Sequence, residues 1–125
     1  MRIPIQTRYN DYDDRGHVNN ALYLTYFELA RAQAWRAASE DQDESFILAD
    51  ARVSYRSPAL PGDPLAVDIT TSEVRNKAWV WSYRIVDERD ERLVAEGQTT
   101  QVMYDYDRRA TVPIPDSLRV ALTRV

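Results

Sequence analysis

The chain is 125 residues long, 44% hydrophobic and 29% charged, with a formal net charge of -4. That length supports one hydrophobic core and is too short for two ordinary domains, so residues 1–125 are read as a single domain. The acidic balance argues against a broad nucleic-acid surface, the absence of cysteine excludes disulfides and thiolate chemistry, and no apolar run is long enough to cross a membrane.

The segment MRIPIQTRY lacks an apolar core of signal-peptide length, which makes the cytoplasm the expected compartment. Arg2 to Tyr9 alternates, with Ile3, Ile5, Thr7 and Tyr9 on one side, and Pro4 assigns this strand to a sheet edge. From Asn10 to Gly16 the apolar signal gives way to a turn rich in Asp. Asn19 to Ala38 contains neither proline nor glycine, and 13 of its 20 residues are Ala, Leu, Tyr, Phe or Trp. The expected element is a long helix with Asn19 or Asn20 as N-cap, apolar around nearly its whole circumference and therefore largely enclosed. Glu28 and Arg31 are spaced to pair along it.

Residues 39–45 read as a solvated acidic loop. Four strands follow at Phe46–Ser57, Leu65–Val74, Ala78–Val86 and Leu93–Tyr104, with period-two alternation clearest at Leu65, Val67, Ile69, Thr71 and at Trp79, Trp81, Tyr83, Ile85. Their connectors are short, which predicts an antiparallel meander. Asp116 to Thr123 is expected as a short final helix. The class is therefore α+β, an antiparallel sheet covering an enclosed helix, and protecting the sheet edges favours a symmetric dimer.

None of the seven serines lies in a G-x-S-x-G elbow, and the three glycines form no phosphate loop. An EF-hand reading from Asp11 fails at Arg15 and Leu22, and His17, the only histidine, cannot supply the paired imidazoles of most zinc sites. Metal is therefore expected to be absent. Asp11, Asp13 and Asp14 precede a helix whose first N–H groups carry partial positive charge. These carboxylates either cap the turn or place one of their number opposite helix N–H groups able to hold an oxyanion.

The run R-Y-x-D-x-D-x-x-G-H-V-N-N-A-x-Y-x-x-Y-F-E-x-A-R, from Arg8 to Arg31, resembles the signature of the hotdog-fold acyl-CoA thioesterases, the group that includes 4-hydroxybenzoyl-CoA thioesterase. The likeness continues through R-V-S-Y-R-S-P-A-L-P-G-D-P-L, L-V-A-E-G-Q-T-T-Q-V-M-Y-D and V-P-I-P-D-S-L. The resemblance implies a sheet wrapped around one long central helix and hydrolysis of an acyl-CoA thioester without a cofactor. It implies Asp13 as nucleophile or general base and the backbone N–H of Asn20 as the donor to the thioester oxygen. His17, Asn19 and Glu28 become supporting residues, Tyr23 and Phe27 acyl-pocket residues, and Asp11 a structural one. It further implies a homodimer with active sites between subunits, with dimers in this group commonly pairing into tetramers. One departure is Ala78, where the family often has a small hydroxyl residue that contacts the coenzyme. Two other readings stand beside it: a non-catalytic acyl-thioester binding module, and hydratase or dehydratase chemistry, which would need His17 to move a proton.

Overall fold

The computed structural model describes residues 1–41 and 43–125. Strand β1 (Arg2–Ile5) is followed by a 3-10 turn (Tyr9–Asp11), helix α1 (Leu22–Ala38), strands β2 (Phe46–Tyr55), β3 (Leu65–Val74), β4 (Ala78–Asp87), β5 (Arg92–Asp105) and β6 (Ala110–Thr111), and helix α2 (Asp116–Leu122). The strands make one antiparallel sheet ordered β1-β3-β4-β5-β2, with β6 on the end of β5. This is the expected α+β hotdog arrangement, one long helix lying against a wrapped antiparallel sheet. The predicted loop at 39–45 falls between α1 and β2, with residue 42 outside the described residues.

The sheet is a meander only through β3, β4 and β5. Strand β2 does not pair with β3 as its short connector suggested; it lies at the far edge, against β5. Connector length permits a hairpin but does not force one, and residues 56–64, with three prolines that cannot donate to a ladder, cross the end of the sheet instead. β1 also stops short of the predicted Tyr9. The Asp11 carboxylate accepts the Arg8 N–H at 3.0 Å and the Asp11 N–H donates to the Arg8 carbonyl at 2.9 Å, so local bonds replace the ladder.

Inner-face residues follow the predicted alternation. Trp79, Trp81, Tyr83 and Ile85 of β4 and Leu65, Val67 and Ile69 of β3 are all buried. Trp35 of α1 meets Trp79 at 6.1 Å and Phe46 at 5.2 Å between ring centroids, and Phe27 stacks on Tyr83 at 4.3 Å. The helix is not enclosed all round, however. Tyr23, Tyr26, Phe27, Ala30, Ala34 and Trp35 are buried, while Leu24 and Leu29 are 40% and 50% exposed. A single sheet covers one side of a cylinder, and the other side of α1 stays bare. Nor is there a Glu28–Arg31 ion pair among the described residues: Glu28 faces outward, and Arg31 is drawn under the helix beside Tyr83. Among the described residues no helix is long and apolar enough to cross a membrane.

Gly97 marks the tightest approach between β5, β2 and the helix. A Cβ there would lie 2.1 Å from the Arg52 carbonyl oxygen and 2.7 Å from the Phe27 ring. Gly97→Ala is therefore expected to destabilise the fold by about 1–3 kcal/mol, read as a lowered urea midpoint with an unchanged slope. An unshifted midpoint would show that β2 yields without cost.

Candidate active site

The acidic turn is closed by its own backbone. Tyr12 and Val18 form an antiparallel bridge, the Asp13 N–H donates to the His17 carbonyl at 2.7 Å, and the Gly16 N–H donates to the Asp13 carbonyl at 3.1 Å. Gly16 sits at φ 75, a left-handed conformation that glycine adopts without strain. Inside this loop Asp13 Oδ1 accepts the Arg15 N–H at 2.9 Å and the His17 N–H at 3.1 Å. The His17 amide is the leading cause that holds the Asp13 carboxyl below its ordinary value, with Arg15 assisting and slight desolvation opposing. Asp13 is thus an exposed, ionised carboxylate whose Oδ2 has no hydrogen bond to protein among the described residues.

Asp11 plays a different part. Its buried carboxylate accepts the Tyr26 hydroxyl at 2.8 Å and the Arg8 backbone and guanidinium, and its carbonyl accepts the Asn19 N–H at 2.8 Å. Burial pushes its pKa up, but the Arg8 amide, the Tyr26 hydroxyl and the Arg8 charge together bring it below the ordinary value. This anchoring agrees with the structural role expected for it.

Helix α1 begins later than the predicted Asn19. Its N-cap is Ala21, not the predicted Asn19 or Asn20, and no side chain caps it; Asn19 instead closes the turn that leads into the helix, its Oδ1 accepting the Ala21 N–H and its carbonyl the Leu22 N–H, each at 3.0 Å. Both donors beyond Asn20 are therefore occupied. Among the described residues no acceptor takes the N–H of Asn20 itself, two residues before the helix.

Asp13, His17, Val18, Asn20 and Tyr23 share a cleft of about 290 Å³ with Tyr55, Arg56, Ser57 and Pro58. Asp13, His17, Asn20 and Tyr23 are thus brought together as the sequence led one to expect. Phe27 is not among them: fully buried against Tyr83, it belongs to the core. Glu28 also lies away from this cleft, on the exposed side of α1, so within one chain it supports nothing there. Asn19 contributes through the turn it closes before α1 rather than through the cleft wall.

The second wall escaped sequence reasoning. The Tyr55 hydroxyl donates to the Asn20 carbonyl at 3.1 Å, and its ring lies 5.5 Å from that of Tyr23. Tyr23 itself is buried, which raises its pKa against an opposing bond from the Ala59 amide. Tyr55 lies in the recognised run R-V-S-Y-R-S-P, but only the pairing of β2 with β5 carries it to the helix start. Among the described residues no group of three His, Asp or Glu side chains is set to hold a metal ion.

Comparison with known proteins points the same way. The model of the thioesterase-like superfamily matches residues 7–122. The chain is 26% identical to the long-chain acyl-CoA thioesterase FadM of Escherichia coli K12, covering 100% of this chain and 98% of that protein. It is 25% identical to the acyl-CoA thioesterase YbgC of Haemophilus influenzae, over 95% of this chain and 91% of that one. A thioesterase from Thermus thermophilus, solved with coenzyme A and Zn, superposes with a TM-score of 0.88 at 28% identity, over 97% of this chain and 95% of that chain.

The Asp11–Tyr26 bond can be tested directly. Tyr26→Phe deprives a buried carboxylate of a donor and is expected to cost about 1–3 kcal/mol at neutral pH. Because the folded Asp11 pKa is depressed, its stabilisation is complete above the unfolded value of about 3.9 and is lost as pH falls through the folded value. The difference between Tyr26→Phe and wild type should therefore shrink in acid, as measured by denaturation at pH 7 and near pH 3.

Proposed function

The chain belongs to the thioesterase-like superfamily, and on that footing we propose that it hydrolyses an acyl-CoA thioester to the free acid and CoA. One observation carries the reading: Asp13, an ionised carboxylate, and Asn20, whose backbone N–H has no acceptor among the described residues, line one cleft beside a helix start. The relatives named above act on acyl-CoA, and one holds coenzyme A.

In the proposed reaction the thioester carbonyl oxygen points at the Asn20 N–H, where the partial positive charge of the α1 N-terminus favours developing negative charge. Asp13 Oδ2 attacks the carbonyl carbon, the C–S bond breaks, and CoA leaves as a thiolate that takes a proton from solvent. Water then cleaves the mixed anhydride and regenerates the carboxylate. A carboxylate held below its ordinary pKa is charged at neutral pH, the form needed either to attack the carbonyl or to activate a water that does so. His17 and Asn19 shape the turn and the entry to the helix, and Tyr23 borders the acyl end. The scheme requires neither metal nor redox cofactor.

The protomer's cleft is at the small end of ligand sites, which run to about 300–1,000 Å³, and a second copy would enlarge it. We place that copy along β2. This strand has an unpaired outer edge, Ile47, Leu48 and Tyr55 are exposed on it, and the bare side of α1 carries Leu24 and Leu29. Glu28 lies on the exposed side of α1 and so could reach an active site only across such an interface.

Three outcomes are expected. Asp13→Asn abolishes thiol release in a screen of short, long and aromatic acyl-CoAs and an acyl-carrier-protein thioester, while the fold persists by circular dichroism; wild-type rates in that variant would remove Asp13 from the chemistry. Because the Asp13 pKa is depressed and its charged form reacts, wild-type kcat/KM should hold level from pH 7 to 5, its acid limb falling only below about 3.9; a limb centred near 6 would require another group. Finally, the chain sediments at twice its mass, and lysines at both Ile47 and Leu48 shift it to monomer and reduce turnover.

A further inference from the structure

A charged cluster behind the cleft is left unused by the chemistry above. Asp63 and Asp87 are buried and face Arg89 and Arg92. Arg89 closes on both carboxylates with Nη2 and reaches Asp87 again through Nε at 3.0 and 3.2 Å. Those bonds are the main reason that the Asp87 carboxyl lies well below the usual carboxylate range.

Arg92 bonds differently. Its contacts with the acids are long, 3.3 Å to Asp63 and 3.5 Å to Asp87, whereas its short bonds run to the loop between β2 and β3: 2.6 Å to Ser57 Oγ and 2.9 Å to the Pro58 carbonyl. The Ser57 hydroxyl in turn donates to the Leu93 carbonyl at 2.7 Å, and Asp63 accepts the Leu60 N–H at 2.8 Å. Arg89 therefore neutralises the buried acids, while Arg92, one planar fork, spans from those acids to the loop.

That loop is one wall of the cleft. Ser57 and Pro58 line it, and the next residue, fully buried Ala59, accepts the Val18 N–H at 3.0 Å. Val18 leads into Asn19, which closes the turn before α1, and into Asn20, a residue of the cleft wall whose N–H has no acceptor among the described residues. A continuous run of hydrogen bonds and short chain segments thus joins Arg92 to Asn20, which shares the cleft with Asp13. We propose that Arg92 is a positioning residue, which fixes the 57–59 wall and through Val18 the placing of the Asn20 N–H relative to Asp13. Arg92 does not line the cleft and touches no reacting atom.

The kinetic arm of the test rests on the acyl-CoA hydrolase reading; the exchange arm does not. Arg92→Met is expected to lower kcat by about 10–100-fold, since misplacement of catalytic groups by about 1 Å costs on the order of 100-fold, with KM nearly unchanged. Arg89→Met, which removes a partner of the same acids, should lower the melting temperature comparably yet leave kcat of the folded enzyme near wild type. Millimolar ethylguanidinium should restore part of the rate to Arg92→Ala and none to Asp13→Asn. Equal falls in kcat for the Arg89 and Arg92 variants would reduce Arg92 to a structural charge and overturn the proposal. In parallel, hydrogen exchange at the Val18 amide should quicken in Arg92→Met and not in Arg89→Met. Unchanged Val18 exchange in Arg92→Met overturns the proposal even if the wild-type chain releases no thiol, an outcome that by itself would refute only the hydrolase reading.

Discussion

A carboxylate buried at the foot of a helix must be fully hydrogen-bonded or neutralised, because burial without partners costs several kcal/mol. Asp11 meets that requirement with the Arg8 amide and guanidinium and the Tyr26 hydroxyl, partners that come from two stretches of chain, the segment after β1 and helix α1, on either side of its own turn. Satisfying one acid therefore locks the end of the first strand, the acidic turn and the first turns of α1 into one arrangement. The Asp11 carbonyl adds the Asn19 amide, so the residue that closes the turn into the helix is held by the same grip. Everything at the cleft is measured from this point.

Two acids separated by a single residue then acquire opposite tasks. Asp11 directs all its acceptors inward, whereas Asp13 gives one oxygen to its own turn and leaves the other facing solvent and cleft. Both are held ionised, though for different reasons: at Asp11 donors outweigh a burial penalty, and at Asp13 the His17 amide leads with little penalty to overcome. Asp13 can keep one oxygen without a protein partner among the described residues because the surrounding scaffold, and Asp11 above all, carries the structural bonds.

The remainder of the fold divides along the same line. The aromatic cluster of Trp35, Phe46, Trp79 and Trp81 closes the far end of the helix against the sheet and asks nothing of the cleft. The near end, by contrast, is built from polar contacts: Tyr55 on the Asn20 carbonyl, Ala59 on the Val18 amide, and the Asp63, Asp87, Arg89 and Arg92 cluster behind them. Apolar packing is close but non-directional, while donors and acceptors must be placed in both distance and angle. It is therefore the polar end that offers a geometry fit for chemistry.

Much of this was legible in the order of residues. An uninterrupted run without proline or glycine identified the long helix, and alternation identified the strands from Phe46 onward, because a period of 2 is imposed by local backbone geometry. The D-x-D turn before H-V-N-N marked Asp13, His17, Asn20 and Tyr23 as neighbours, since they lie within a few residues along one turn and one helix start. What the sequence could not convey was set by contacts distant along the chain. That β2 crosses to β5 rather than folding back on β3, that α1 is bare on one side, that Glu28 turns away from Arg31, and that Phe27 packs in the core all depend on which surfaces meet. Tyr55, Ser57 and Arg92 enter the vicinity of the cleft for the same reason: pairing energies are decided between strands, and no local pattern records which strand will be the neighbour.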